Sequence, residues 1–265
     1  KYLKDGADPL TLPDHALLRL YRLPRNSVMY LSHILRDNLQ RKTKRSSPLP
    51  VILQIMVALR FFASGSFQAV LSNTAPSDDE ELYVNKKNFH SIDTQIVCDA
   101  SLKITNFVAK WPGSTHDSFI LTNSALCQQF SEGQILDGWL LGDSGYPLRP
   151  WLMTPILHPA SEAHERYSRA QRKMRGVVER CTGVLKSRFR CIDHSGGVLL
   201  YTPERACQII AAVCVLHNIC QMHRVPLPNI PEAPVEPDEP LTHVANPPSN
   251  SGMQARNNLI ARRFI

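Results

Sequence analysis

The chain has 265 residues, of which 43% are hydrophobic and 20% charged, a composition typical of a globular protein with a sizeable apolar core. Its formal net charge is +7, and the cations are concentrated in residues 1–75 and 165–190. Such a basic chain suits a polyanionic partner. The sequence predicts no membrane-spanning segment, because no apolar run approaches the length that a bilayer requires.

The cysteines are scattered through apolar segments, and they form neither a CxxC pair nor a zinc-like spacing with histidine. This pattern predicts reduced, buried thiols in an intracellular protein rather than a disulfide framework. The seven residues are Cys98, Cys127, Cys181, Cys191, Cys207, Cys214 and Cys220.

A small, all-helical N-terminal region is predicted over residues 1–72. Residues 13–39 follow a helical pattern broken at Pro24, and residues 50–63 follow another that Gly65 ends. The basic linker between them is either a solvated loop or a loop that contacts phosphate. Helices with a basic turn also fit part of a helix-turn-helix DNA reader. The cations of the linker are Arg41, Lys42, Lys44 and Arg45.

Strands are predicted in the middle of the chain. Residues 91–98 and 104–110 alternate apolar and polar side chains around a short polar turn, which is typical of a hairpin. Residues 139–142 are predicted to form a third, buried strand that ends at Asp143.

Residues 165–189 are predicted to form a basic amphipathic helix. Glu179 lies on its charged face, and two interpretations are open. Glu179 either pairs with Arg175 one turn away or stands among basic side chains that hold phosphate. The charged face contains Arg172, Arg175, Glu179, Thr182 and Lys186, and the apolar face contains Val177, Cys181, Val184 and Leu185.

The C-terminal part begins with an apolar helix predicted over residues 203–222. His217 lies within it, and a single histidine among apolar residues is interpreted as a core residue. Eight prolines between positions 226 and 248 predict a disordered tail, with a short helix at residues 253–265.

Three acids are candidates for chemistry. Asp143 at a strand end and Glu179 on a later helix, with 35 residues between them, could converge on divalent ions that activate water for phosphodiester hydrolysis. Taken singly, each is as consistent with a solvated carboxylate. Asp117 either caps the segment 118–129 or is a third ligand.

The sequence around these acids resembles that of the DDE-type transposases of PIF/Harbinger elements. It is most similar to the vertebrate nucleases that derive from harbinger transposases. The resemblance covers roughly residues 10–225. Its motifs are Trp111-Pro112-Gly113-Ser114-Thr115-His116-Asp117, Leu141-Gly142-Asp143-Ser144-Gly145-Tyr146-Pro147 and Val178-Glu179-Arg180 with Leu185-Lys186-Ser187-Arg188-Phe189-Arg190, in that order.

The resemblance implies an α/β fold with an RNase H-like nuclease core over residues 75–225, between the N-terminal region and a tail at 226–265. It implies an endonuclease that hydrolyses DNA with Mg²⁺ or Mn²⁺, hard cations that prefer carboxylate oxygens and water. It also implies a Myb-like partner protein and residence in the nucleus, with the cytoplasm as a further location. The implied metal ligands are Asp143, Glu179 and Asp117, and the implied phosphate contacts are Arg172, Arg175 and Lys186.

The chain departs from the family pattern in one place. Family members carry further helices and a central strand with the first catalytic Asp, whereas here Phe67-Gln68 leads almost directly into Ala75-Pro76. Loss of that strand would remove a bridging ligand and would leave the backbone of its neighbours without partners. Residues 78–81, all acidic, could substitute for the missing acid or could be a solvated loop.

Three hypotheses are therefore open. The chain is an active metal-dependent endonuclease, a catalytically dead remnant that binds DNA or a partner, or a chain that does not fold stably. Because the first Asp is absent, weak or absent activity is predicted. A steep dependence of DNA affinity on salt favours the second hypothesis over the third, and a cooperative melt excludes the third.

Overall fold

The structure, a computed structural model, describes residues 9–41, 49–65, 83–85, 88–136, 138–197, 199, 201–226 and 248–264. The chain divides into two compact units. The helical unit consists of Lys1–Pro76 and Thr182–Ile230, and the mixed unit consists of Ser77–Cys181 and Pro231–Ile265. The division into domains at 1–72, 75–225 and 226–265 stays a prediction. Lys42, Lys44, Arg45, the acids at 78–81 and most of the Pro-rich tail lie outside the described residues.

The described residues form helices and strands in the following order. They are α1 (Asp14–Tyr21), α2 (Arg25–Ile34), α3 (Arg36–Leu39), α4 (Val51–Ser64), β1 (Ile92–Cys98), β2 (Ile104–Pro112), α5 (Asp117–Thr122), α6 (Ala125–Ser131), β3 (Leu140–Leu141), β4 (Leu152–Met153), α7 (Glu162–Arg188), α8 (Pro203–Met222) and α9 (Asn250–Arg263). Short 3-10 turns occur at Pro9–Thr11, Arg190–Ile192 and His194–Gly196.

Most helices of the helical unit end where the sequence predicts, although the predicted stretch 13–39 has a second break at Leu35, between α2 and α3. Arg22 closes α1 in the left-handed conformation, and Pro24 stands at the N-cap of α2 because proline cannot continue a helix. The break at Pro24 is therefore confirmed, although α2 resumes at once, at Arg25. Gly65 ends α4 with φ 70°, as predicted. The fully buried side chains of this unit include Leu17, Leu23, Val28, Phe189 and Val213.

Two glycines of the helical unit touch through their backbones. A Cβ on Gly65 would lie 2.4 Å from the carbonyl oxygen of Gly196, and a Cβ on Gly196 would lie 1.9 Å from the carbonyl oxygen of Arg190. Both distances are far below any real Cβ contact, so only glycine fits at either position. The crossing fixes the turn that carries Arg190 against the end of α4.

Helix α8 is a core helix of the helical unit. By length and composition alone it could cross a membrane, which the sequence analysis did not anticipate. Its side chains Val213, Cys214 and Cys220 are nevertheless buried against the protein, as in the core helix of a globular domain. His217 is fully buried as well, which confirms its interpretation as a core residue.

The mixed unit contains two small sheets. β1 and β2 pair antiparallel, from Ile92 opposite Pro112 to Cys98 opposite Ile104, which confirms the predicted hairpin. β3 and β4 pair parallel, with Leu140 opposite Leu152. The sequence did not predict β4, because two strand residues between Pro150 and Pro155 give no readable alternation.

Each of the two sheets has an open edge within the part of the chain that the structure describes. There, β1 pairs only with β2, and β3 pairs only with β4. A cavity of about 250 Å³ is lined by residues of β1, β3 and α7, and three apolar side chains in its lining are unusually exposed: Trp139 by 56%, Leu141 by 39% and Met174 by 54%. The prediction that residues 139–142 form a buried strand is therefore wrong about burial, because nothing described covers the second edge.

Other elements of the mixed unit refine the sequence prediction. The segment 118–129 forms two helices, because the side chain of Ser124 caps α6 by accepting the N–H of Cys127 at 3.1 Å. The prediction that Asp117 caps this segment is wrong by one position, since His116 is the N-cap of α5. The predicted C-terminal helix is present as α9, whose cap Ser249 donates to the carbonyl of Leu148 at 3.1 Å.

Candidate functional site

Asp143 lies just beyond β3, on a turn that is held from both sides. The N–H of Gly142 donates to the carbonyl of Met153 at 3.0 Å. The buried side chain of Gln171, on α7, donates to the carbonyl of Gly142 at 2.6 Å. The carboxylate of Asp143 itself accepts the N–H of Gly145 at 2.9 Å. These bonds fix the position of the acid relative to α7.

Tyr146 stands at the centre of a group of acids. Its hydroxyl accepts the side-chain amide of Gln95 at 3.0 Å. Burial raises the pKa of Tyr146 above its ordinary value, and the negative charges of Asp117, Asp143 and Asp93 raise it further, while the bond from Gln95 opposes them. The three carboxylates therefore lie within electrostatic reach of one hydroxyl. The structure thus brings Asp117 and Asp143 into one neighbourhood.

Asp93 is the acid in this neighbourhood that the sequence analysis did not single out. It lies on β1 opposite Trp111, and burial raises the pKa of its carboxyl while the N–H of Thr94 opposes the shift. The available signal was an acid on a predicted strand, on the same face as Gln95. That signal is weak, because acids are common at strand ends.

Glu179 is engaged elsewhere. Its carboxylate accepts the guanidinium of Arg175 at 3.0 Å, one helical turn away, with the two side chains 35% and 15% exposed. Pairing between these two residues, the first of the two interpretations left open by the sequence, is thus observed. Glu179 also lies about 12 Å along the axis of α7 from Gln171, the residue that contacts the turn of Asp143.

The three predicted metal ligands do not form a metal site in this arrangement. Among the residues that the structure describes, no three His, Cys, Asp or Glu side chains are grouped so that they could hold a metal ion. Asp143 and Asp117 lie near Tyr146, whereas Glu179 is paired with the guanidinium of Arg175. The described residues therefore show no ligand set for a divalent ion, and no catalytic step through a metal follows from them. The assignment of Asp117, Asp143 and Glu179 as metal ligands stays a prediction.

The predicted phosphate contacts differ in their surroundings. Arg175 is largely buried beside Glu179, and Arg172, on the preceding turn of α7, is half-buried. Lys186 and Arg41, both in the helical unit, are exposed. A role of any of them in binding nucleic acid stays a prediction.

Asp143 follows a parallel strand and lies beside a helix that carries a second acid, Glu179, in a unit of mixed helices and strands. RNase H-like endonucleases share this arrangement. The chain belongs to this class: residues 67–218 match the profile of the DDE superfamily endonuclease family. The family membership predicted from the sequence motifs is confirmed. Endonucleases of this superfamily generally use divalent metal ions and act on DNA.

The relatives of the chain support the same family. It is 32% identical over 298 positions to the human protein named "Putative nuclease HARBI1", covering 87% of this chain and 85% of the relative. The Xenopus laevis protein of the same name is 30% identical, covering 95% and 91%. An Arabidopsis thaliana protein named "Antagonist of like heterochromatin protein 1" is 29% identical, covering 54% and 38%. No solved structure shows a significant match.

The length of the human match carries further information. Its 298 aligned positions outnumber the 265 residues of this chain. The human protein therefore contains residues, within the aligned stretch, that have no counterpart here.

Proposed function

We propose that this chain is a DNA-binding protein of nuclease ancestry whose own hydrolysis of phosphodiester bonds is weak or absent. The observation that carries the proposal is the state of Glu179, which is paired with Arg175 and lies about two helical turns beyond Gln171, the residue that contacts the turn of Asp143. A two-metal nuclease needs its carboxylates to converge on the same ions. The alternative, an active divalent-metal endonuclease, requires α7 or the turn of Asp143 to move.

The proposal includes the absence of the strand that carries the first catalytic acid in the family. The open edges of β1 and β3, which line one cavity, are the backbone that such a strand would pair with. The extra aligned residues of the human relative are consistent with a missing segment. An acid that bridges both ions would be lost together with the strand.

Binding to DNA is supported by the charge of the chain and by its family. The net charge is +7, and the cations concentrate at residues 1–75 and 165–190. Residence in the nucleus and a Myb-like partner protein are parts of the same proposal. The Arabidopsis relative, named as an antagonist of a heterochromatin protein, is consistent with work on chromatin.

The first test is nicking of supercoiled plasmid with Mn²⁺ and, separately, with Mg²⁺. The wild-type chain is compared with the double variant Asp143→Asn/Glu179→Gln, which keeps the fold and removes both predicted ligands. We expect equal, background nicking by both proteins. Cleavage by the wild type that the double variant loses would overturn the proposal and establish an active nuclease.

A binding measurement and a melt accompany the nicking assay. Binding to a labelled DNA duplex, followed by fluorescence anisotropy, should weaken steeply as salt rises, because released counterions supply the affinity. A cooperative thermal melt of the same sample excludes the hypothesis of a chain that does not fold. Affinity that does not change with salt would contradict binding through the DNA backbone.

One observation favours the alternative of an active nuclease. The charges of Asp93, Asp117 and Asp143 all raise the pKa of Tyr146, so the three acids lie in the neighbourhood of one hydroxyl. If plasmid nicking is found, Asp93→Asn is the next variant. Loss of cleavage in it would assign Asp93 the place of the missing first acid, and unchanged cleavage would direct attention to residues 78–81.

A further inference from the structure

Three arginines of the helical unit lie close together, and we call them the arginine cluster: Arg22 after α1, Arg60 on α4 and Arg190 in the turn after α7. Burial lowers the pKa of Arg22, and the positive charges of Arg190 and then Arg60 lower it further. Both neighbouring guanidinium groups therefore repel that of Arg22. The sequence analysis named none of them as a candidate for binding.

The protein holds these like charges together by its backbone. Arg22 adopts φ 63°, and its N–H donates to the carbonyl of Leu18 at 3.0 Å. Arg60 reaches back to the same segment, since its guanidinium donates to the carbonyl of Leu20 at 3.1 Å. Arg190 donates to the carbonyl of Ser195 at 3.0 Å, inside the turn fixed by the Gly65–Gly196 crossing.

The charge of the cluster is not neutralised by an ion pair in the part of the chain that the structure describes. Asp193 accepts both the N–H and the hydroxyl of Ser195, and the pKa of its carboxyl is lowered mainly by that hydroxyl and in smaller part by the charge of Arg190, but the two residues form no ion pair. The Nε of Arg22 is buried and has no hydrogen-bond partner among the described residues. A buried, unpaired donor of a charged group is costly, so the site favours an anion.

We infer that the arginine cluster binds a phosphate group, and that the backbone of DNA supplies it. That the phosphate belongs to DNA rests on the proposed function, whereas the binding of a phosphate group is inferred from the arginine cluster alone. A guanidinium presents five donors in a planar fork that matches phosphate oxygens, and Arg60 uses one of its five in the bonds described above. Bound phosphate would offset the positive charge that Arg60 and Arg190 place beside Arg22.

The test uses the full chain and a labelled DNA duplex, with affinity measured over a series of salt concentrations. The variants are Arg22→Asn, Arg60→Gln and the double variant, and Asn is chosen because it tolerates φ above zero. The matched control is Arg19→Gln, which removes an exposed charge from α1. We expect each single variant to lose affinity about tenfold and the control less than about twofold.

The salt dependence makes the prediction sharper. If the three side chains hold one phosphate, the steepness of the plot of log affinity against log salt decreases by about 0.9 in the double variant. In either single variant the steepness decreases by no more than that. If they contact separate phosphates, the slope falls twice as far in the double variant, which would overturn the single shared site. Variants that match the control in both affinity and slope would overturn the inference altogether.

A second arm separates the cluster from the proposed function. The melting temperature is measured with inorganic phosphate or pyrophosphate against chloride at matched ionic strength. We expect a rise in the wild type that Arg22→Asn loses, since a ligand of the folded state stabilises it. Without phosphate, Arg22→Asn should melt no lower than the wild type, because it removes a repelled charge. If the wild type does not bind DNA, the proposed function fails. The phosphate site is then judged by the melting temperature alone: a rise with phosphate that Arg22→Asn loses supports the site, and no rise in the wild type overturns it.

Discussion

The two units of the chain satisfy their backbone hydrogen bonds in different ways. In the helical unit, each helix closes its own bonds, and the ends are finished by a left-handed residue or by a proline at the N-cap. In the mixed unit, β1 and β3 depend on other segments, and in the described chain each has a partner on one side only. The backbone of a helix is therefore satisfied locally, whereas the backbone of a strand depends on a neighbour that is distant in the sequence.

The largest expected difference between the units is in the free energy of unfolding. Phe189→Ala removes a fully buried ring from the helical unit and should cost about 3–5 kcal/mol. Trp139→Ala removes a larger ring at the open edge, where the side chain is 56% exposed, and should cost below about 1 kcal/mol. Urea denaturation of both variants checks this contrast. A large loss in Trp139→Ala would mean that the edge is covered in solution.

Thiol reactivity should also divide the units. A hydrogen bond from Cys181 lowers the pKa of Cys98, on the open edge of β1, whereas burial raises the pKa of Cys214 and Cys220 to about 11. Since the thiolate is the reactive form, iodoacetamide at neutral pH should modify Cys98 at least about 100-fold faster than those two. Mass spectrometry of peptides gives the rates.

The pH dependence of that reaction provides the control. The lowered pKa means that the rate at Cys98 rises at a lower pH than for an ordinary thiol. Cys181→Ala removes the donor, so the rise should shift to higher pH. An unchanged profile in this variant would rule out the hydrogen bond as the cause.

A smaller effect is expected at the contact between α7 and β3. Gln171→Leu keeps the volume of the side chain but leaves the buried carbonyl of Gly142 without its donor, which should cost about 1–3 kcal/mol. Gln128→Leu is the control, because its exposed amide contacts only the carboxylate of Glu132. Equal denaturation midpoints for the two variants would show that water replaces Gln171.

The smallest effect is expected at the ion pair of α7. Glu179→Gln should destabilise the chain by about 0.3–0.5 kcal/mol, the usual contribution of a pair one turn apart on a helix. Glu162→Gln, which breaks the more exposed pair with Arg166, should cost no more than that. A clear gain of stability in Glu179→Gln would indicate that Glu179 is strained in the folded state, as an acid of an unfilled site can be.

The helices and the hairpin could be predicted because local patterns determine them. Gly65, Pro24 and the alternation in β1 each act within a few residues, and all three predictions are confirmed. The exposure of β3 could not be predicted from its own residues. Leu140 and Leu141 are as apolar as a buried strand requires, yet Leu140 is half-buried and Leu141 is 39% exposed, and no described segment pairs with the second edge of β3.

The candidate site was predictable in part. The sequence motifs identified the family. The pairing of Glu179 with Arg175 depends on side-chain conformation on α7, and the proximity of Asp93 to Tyr146 depends on where β1 lies in the fold. The arginine cluster could not be predicted from the sequence either. Its three members are far apart in the chain, and no periodicity connects them.

The crossing of Gly65 and Gly196 limits how the protein can vary. A side chain on Gly65 would push the carbonyl of Gly196 aside, and one on Gly196 would push the carbonyl of Arg190 aside. Because both displacements fall in one turn, harmful changes at the two positions should not simply add when combined. Neither residue has a functional group, yet a change at Gly196 would move Arg190. In an inherited variant, replacing this small residue would then resemble the loss of a charged one.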